Sequence, residues 1–156
     1  MEAQSIMNRF LQEFPGIPSF TAKVIELCKN QGFAESILGR QRILPKIKSS
    51  DFKERSHAQR QAVNFTIQGS AADICKLAMK EVANELKSNS IDASLLVQIH
   101  DELLYEVLDA DVNTAKDVFM KCMNTDVGVW HGGIDLKVPL RILLKAGKSW
   151  ANMQSI

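Results

Sequence analysis

The sequence predicts an α+β fold: a short antiparallel sheet packed against helices and preceded by a helical segment. Three observations carry this expectation. Two short apolar runs, Leu95-Leu96-Val97-Gln98-Ile99 and Leu103-Leu104-Tyr105-Glu106-Val107, flank His100-Asp101-Glu102 and read as a hairpin. Longer stretches on both sides repeat their apolar residues at helical spacing. With 156 residues and 46% hydrophobic content, the chain can bury the core of one domain.

Taken in order, Ile6, Met7, Phe10, Leu11 and Phe14 mark a first helix, stopped by Pro15-Gly16-Ile17-Pro18. Ser19 is placed to cap a second helix, striped by Phe20, Val24, Leu27 and Cys28 and ended by Gly32. Both read as core scaffolding. Phe33 to Leu44 alternates about Gly39, as a small hairpin or arm ending at Pro45 would. A polar, basic helix follows from about Phe52 to Phe65. Gly69-Ser70 reads as a break before a longer helix, with Ser70 as N-cap and Asp73 three residues on. The buried stripe of that longer helix is Ala71, Cys75, Ala78, Met79, Val82 and Leu86, and Lys76, Lys80, Lys87, Glu81 and Glu85 form its wet face. After the hairpin, Val112, Ala115, Val118, Phe119, Cys122 and Met123 predict another amphipathic helix, capped near Asp109 or Asp111. Ile134 to Ile142 alternates like a strand, but Pro139 makes it an edge or an interrupted one. Trp150 is expected to anchor the terminus in the core, and His131 to be a loop residue.

A net charge of +1 rules out an overall field that would advertise nucleic acid, but local charge is uneven. Arg40, Arg42, Lys46, Lys48, Lys53, Arg55 and Arg60 face only Asp51 and Glu54. Asp101, Glu102, Glu106, Asp109, Asp111 and Asp117 face only Lys116. A phosphate-and-metal site would need both kinds of segment, and so would two solvated faces. Cys28, Cys75 and Cys122 are odd in number and lie in apolar helical patterns, so they read as core thiols in a reducing compartment. No apolar run reaches the ~18 residues of a membrane span, and no export or organelle signal is evident.

Two places carry chemistry. The hairpin tip lacks the Asn-Gly chemistry of a tight turn, so Asp101 and Glu102 read either as an acidic solvated loop or as oxygen ligands for a hard divalent cation. Spacing alone does not choose between them. Arg60, Asn64 and Gln68 are four residues apart, on one face while the helix lasts. Such donors can reach minor-groove acceptors shared by every base pair, or they can form a plain polar stripe.

The string Gln98-Ile99-His100-Asp101-Glu102-Leu103-Leu104-Tyr105-Glu106-Val107 closely resembles the last catalytic motif of the A-family, polymerase I-like DNA polymerases. Ala58 to Asp73, reading AQRQAVNFTIQGSAAD, is similar to the family's segment along the primer-template duplex. Gly39-Arg40-Gln41-Arg42-Ile43-Leu44-Pro45 is a third match. The three stand in the family's order, over about Ser5 to Trp150, and their wording is nearest to the nu and theta branch of animals. The resemblance implies a palm-like subdomain over 51–156, preceded over 1–50 by the end of the fingers and an arm. It implies DNA-directed DNA polymerase activity, in repair or replication and in the nucleus, on primer-template DNA and deoxynucleoside triphosphates. It implies that Asp101 binds catalytic Mg²⁺ in a two-metal site, that Glu102 supports it and that His100 lies by the primer terminus. Arg60, Asn64 and Gln68 match minor-groove contacts, and Arg40 and Arg42 join them as DNA-binding candidates.

Some of the family pattern is missing. The upstream strand motif with the second metal carboxylate is not found, nor is the fingers helix that grips the triphosphate. Gln59 stands where many relatives carry Glu. The chain is therefore expected to be a C-terminal polymerase segment, inactive alone; the alternative is a non-catalytic module that binds duplex DNA or a partner.

Overall fold

The computed structural model describes residues 2–125, 128–130 and 133–156. The expectation for His131 lies outside the described residues. Helices and short antiparallel two-stranded sheets make up the chain, as an α+β fold requires. It divides into two compact units, Met1–Asp73 and Ile74–Ile156.

In the first unit, α1 (Glu2–Glu13) and α2 (Gly16–Gln31) precede a small hairpin of β1 (Phe33–Glu35) and β2 (Gln41–Ile43), followed by α3 (Phe52–Asn64). Helix α2 begins earlier than a Ser19 cap would allow. Pro18 sits in its first turn, where a missing N–H costs nothing because that group has no helical partner. At its other end Gly32 takes φ +87°, which a side chain would resist, and its N–H closes on the Cys28 carbonyl at 2.8 Å. The register Phe33↔Ile43, Ala34↔Arg42, Glu35↔Gln41 confirms the hairpin about Gly39. Asp51 caps α3 through a 2.8 Å bond from the Glu54 N–H.

The core of this unit is Val24, Cys28, Ala34, Leu44, Ile47, Ala58 and Ala62. Its small residues at 58 and 62, four apart, let α3 lie close against α2. The apolar stripe of α1 does not join this core: Ile6, Met7, Phe10 and Phe14 are exposed, as are Phe20 and Leu27 of α2. The scaffolding expectation is corrected there: the apolar stripe of α1 lies outside the buried cluster.

Helix α4 (Ser70–Ser88) is joined to α3 without a break. A π-helical turn, Phe65–Gly69, carries the chain through the expected interruption. The Ser70 hydroxyl donates back to the Thr66 carbonyl and so does not cap a helix start.

In the second unit, β3 (Ala93–Ile99) and β4 (Glu102–Val107) form the expected hairpin, irregular between Leu95 and Val97. It packs through Ala93, Tyr105 and Val107 on the cluster Val82, Leu86, Ile91, Ala115, Val118 and Cys122, the last three from α5 (Val112–Met123). Ala71 is exposed, while Ala78, Val82 and Leu86 of the predicted stripe are buried. Strands β5 (Gly128–Trp130) and β6 (Ile134–Leu136) cover Ala78, and the chain reaches an isolated bridge, Thr125↔Leu140, past Pro139, so the strand is interrupted. Trp150 is 59% exposed and anchors nothing. It lies in the loop between β7 (Lys145–Ala146) and β8 (Gln154–Ser155), which pair with each other. The three cysteines are free thiols, as expected. Among the described residues no helix is long and apolar enough to cross a membrane.

Tyr105 stacks on Phe119 with ring centres 4.9 Å apart, and its buried hydroxyl has no hydrogen-bond partner among the described residues. Burial, with smaller contributions from Cys75 and Cys122, pushes the phenol up to about 12. Folding thus favours the neutral phenol, whose unfolded value is near 10. Its contribution is intact below about pH 10 and is lost as pH rises toward 12. Tyr105→Phe, which removes a buried hydroxyl without a partner among the described residues, should be at least as stable as the native chain in urea melts at pH 7 and lose less stability between pH 10 and 12. Equal alkaline losses in the two proteins would contradict this.

Candidate functional site

The hairpin pairs Ile99 with Glu102, which leaves His100 and Asp101 as a two-residue loop. His100 has φ +52°, a left-handed conformation that costs a non-glycine residue roughly 1 kcal/mol. Positive φ at the first loop position alone is the type II′ pattern, which ordinarily selects glycine there. The Gln98 side-chain amide donates to the His100 carbonyl at 2.6 Å and braces the turn.

The result is a sharp tip on which His100, Asp101 and Glu102 are all exposed. Asp101 and Glu102 also line a cleft of about 940 Å³, with Leu104 and Phe119 among its apolar walls and Lys148 among its cations. The negative charge of Asp101 reaches Cys75 of α4: the thiol is pushed up first by burial and then by that carboxylate. Among the described residues no three His, Cys, Asp or Glu side chains cluster as a metal cage. Two carboxylates on a braced turn nevertheless suit Mg²⁺, which prefers one or two such oxygens and keeps its waters.

In the first unit, Arg60, Asn64 and Gln68 are all exposed. Arg60 is steadied by a 2.8 Å bond to the Ser56 hydroxyl. The buried side of the same helix, Ala58 and Ala62, fixes which face looks outward. Arg42 is exposed, with its guanidinium carbon 5.9 Å from the centre of the Phe65 ring. Arg40 is engaged within the protein: its Nε–H donates to Asp73 Oδ1 and an Nη–H donates to the Gly69 carbonyl, each at 2.9 Å. Asp73, only 6% exposed, reads in the sequence as part of a capping pattern after Ser70, which hides its pairing with Arg40. Its true partner lies 33 residues away, a distance at which no local pattern operates.

If strain at residue 100 serves the tip and not the hairpin, His100→Gly should raise the stability of the chain by up to about 1 kcal/mol, less the entropy that glycine loses on folding. Urea denaturation checks this. A destabilised variant would show that the imidazole holds the turn together.

The family model described as DNA polymerase family A matches residues 1–152. DNA polymerase I of Borreliella burgdorferi is 38% identical over 152 residues, covering 97% of this chain and 16% of that protein. DNA polymerase theta of Drosophila melanogaster is 35% identical over 164 residues, covering 99% of this chain and 8% of that one. The POL domain of Pol1 from M. smegmatis, solved in complex with DNA primer-template and dNTP, superposes with a TM-score of 0.81 at 34% identity. That match covers 90% of this chain and 24% of the solved one. The chain thus spans about a sixth of the first curated relatives it matches, and across nearly its whole length it belongs to DNA polymerase family A.

Proposed function

We propose that the chain serves DNA-directed DNA polymerisation, the transfer of a nucleotide to a primer 3′-hydroxyl, as part of a larger catalytic domain. The observation that supports this most is the structural likeness to a polymerase bound to primer-template and dNTP, at an identity well above that at which only a fold is shared. In this reading residues 1–50 are the end of the fingers with an arm, and 51–156 are palm-like.

The roles follow from the chemistry of each side chain. Asp101, on its braced turn, presents a carboxylate to divalent metal, with Glu102 beside it in sequence and equally exposed. Bound there, Mg²⁺ would supply charge stabilisation for in-line phosphoryl transfer. His100, at the same tip, would meet the primer terminus in this reading. Arg60, Asn64 and Gln68 donate to groove acceptors without reading sequence, and the exposed cations from Arg42 to Arg60 attract phosphates. A nuclear setting and a part in repair or replication are inferred from the nu and theta wording of the motifs. The Drosophila relative exemplifies that branch.

In a complete polymerase carrying this segment, Asp101→Ala should cut nucleotidyl transfer by ~10²-fold or more while leaving duplex affinity within about twofold, as removal of one charge-stabilising group does. Turnover within tenfold of the parent would refute the metal role. Residues 1–156 alone should give no primer extension, since two carboxylates hold Mg²⁺ weakly and nothing in the sequence matches the triphosphate-gripping helix. Extension by the purified chain that disappears with Asp101→Ala would overturn that expectation.

A further inference from the structure

We propose that Arg40 is a positioning residue that locks the π-helical turn Phe65–Gly69 and thereby aligns Gln68 with Arg60 and Asn64. It does not act as a phosphate contact. The inference rests on the reading of that row as the duplex-binding face.

The alignment is a matter of helix geometry. At 3.6 residues per turn, four residues advance about 40° beyond a full turn, so a third member of an i, i+4, i+8 series drifts about 80° from the first. A π turn is wider, and takes back part of the drift between Asn64 and Gln68. Such a turn is a strained insertion and persists only where its surroundings hold it.

Here the surroundings are specific. The Arg40 guanidinium bridges the Gly69 carbonyl, at the end of the π turn, and the Asp73 carboxylate in the next helical turn. Its carbon also lies 5.3 Å from the centre of the Phe65 ring, at the start of the turn. Gly69 is buried, and a Cβ there would come within 3.2 Å of that ring, so the glycine lets Phe65 lie against the backbone beneath Arg40. The arm carrying Arg40 is fixed independently: the Ile37 N–H donates to Ser70 Oγ at 2.8 Å, and the Arg40 N–H donates to the buried Ser36 hydroxyl at 3.1 Å. The Nε and Nη2 groups of the guanidinium are thus used inside the protein, on acceptors at one end of the turn. A lysine could reach one of these acceptors but could not span both in a plane.

The test measures binding of a short fluorescent duplex to the 156-residue chain by anisotropy over a salt series. Gln68→Ala alone should weaken binding about fivefold, the worth of one hydrogen bond. In Arg40→Gln and Arg40→Lys backgrounds the same change should cost less than about twofold, and Arg40→Gln should leave the salt slope unaltered. If Arg40 contacts a phosphate, the slope falls by about 0.9, Arg40→Lys keeps most of the affinity, and Gln68→Ala keeps its full effect; that pattern overturns the proposal. If Gln68→Ala changes nothing in the otherwise native chain, the duplex-face reading has failed, and amide exchange in the free protein then decides the positioning role. Arg40→Lys should speed exchange at residues 66–70 by tenfold or more while Ala58 to Ala62 stay protected. Unchanged exchange at 66–70, or loss of protection throughout α3 in both Arg40 variants, overturns the proposal as well.

Discussion

The first unit depends on the contact between the Arg40 guanidinium and the backbone at Gly69. A buried carboxylate, an aromatic ring and a main-chain carbonyl meet one planar cation. The carboxylate of Asp73 is 7% exposed and would be costly to leave without its cation. The β1–β2 hairpin is tied at that point to the helix that carries the polar row. A further attachment, Ile37 to Ser70, ends on the residue that follows the turn. An irregularity in the helix, which by itself would be a weak spot, is thereby made the place where the arm docks.

The second unit shows the same economy at the His100 turn. A left-handed non-glycine residue is tolerated at a loop of two residues because the ladder on both sides fixes its ends and Gln98 holds its carbonyl. Glycine would satisfy the backbone better, so the side chains at 100 to 102 answer to something other than folding. The cores under both units are otherwise ordinary, built from small residues where helices meet and from Val82, Leu86 and Tyr105 beneath the hairpin.

Much of this was legible in the sequence, for reasons particular to each element. Two apolar runs around His100-Asp101-Glu102 mark a hairpin through their own pattern, and Gly32 is a local signal that acts within one turn. The exposure of Arg60, Asn64 and Gln68 matches the polar stripe that their four-residue spacing predicts. What local pattern misread were the places where distance along the chain matters. Gly69-Ser70 looks like a helix break until Arg40, about thirty residues earlier, supplies the bond that lets the helix run through. The stripes of α1 and Trp150 looked like core, yet periodicity reports an apolar face and not what covers it.

The proposed duplex face stands or falls with contact between the row Arg60, Asn64 and Gln68 and DNA of any sequence. Side-chain resonances of these residues, followed by NMR while the chain is titrated at low salt with an A·T-only and then a G·C-only duplex, test it most directly. The largest shifts are expected at all three positions with both duplexes, with similar affinities. Shifts confined to other surfaces, or a response to one duplex only, would contradict it.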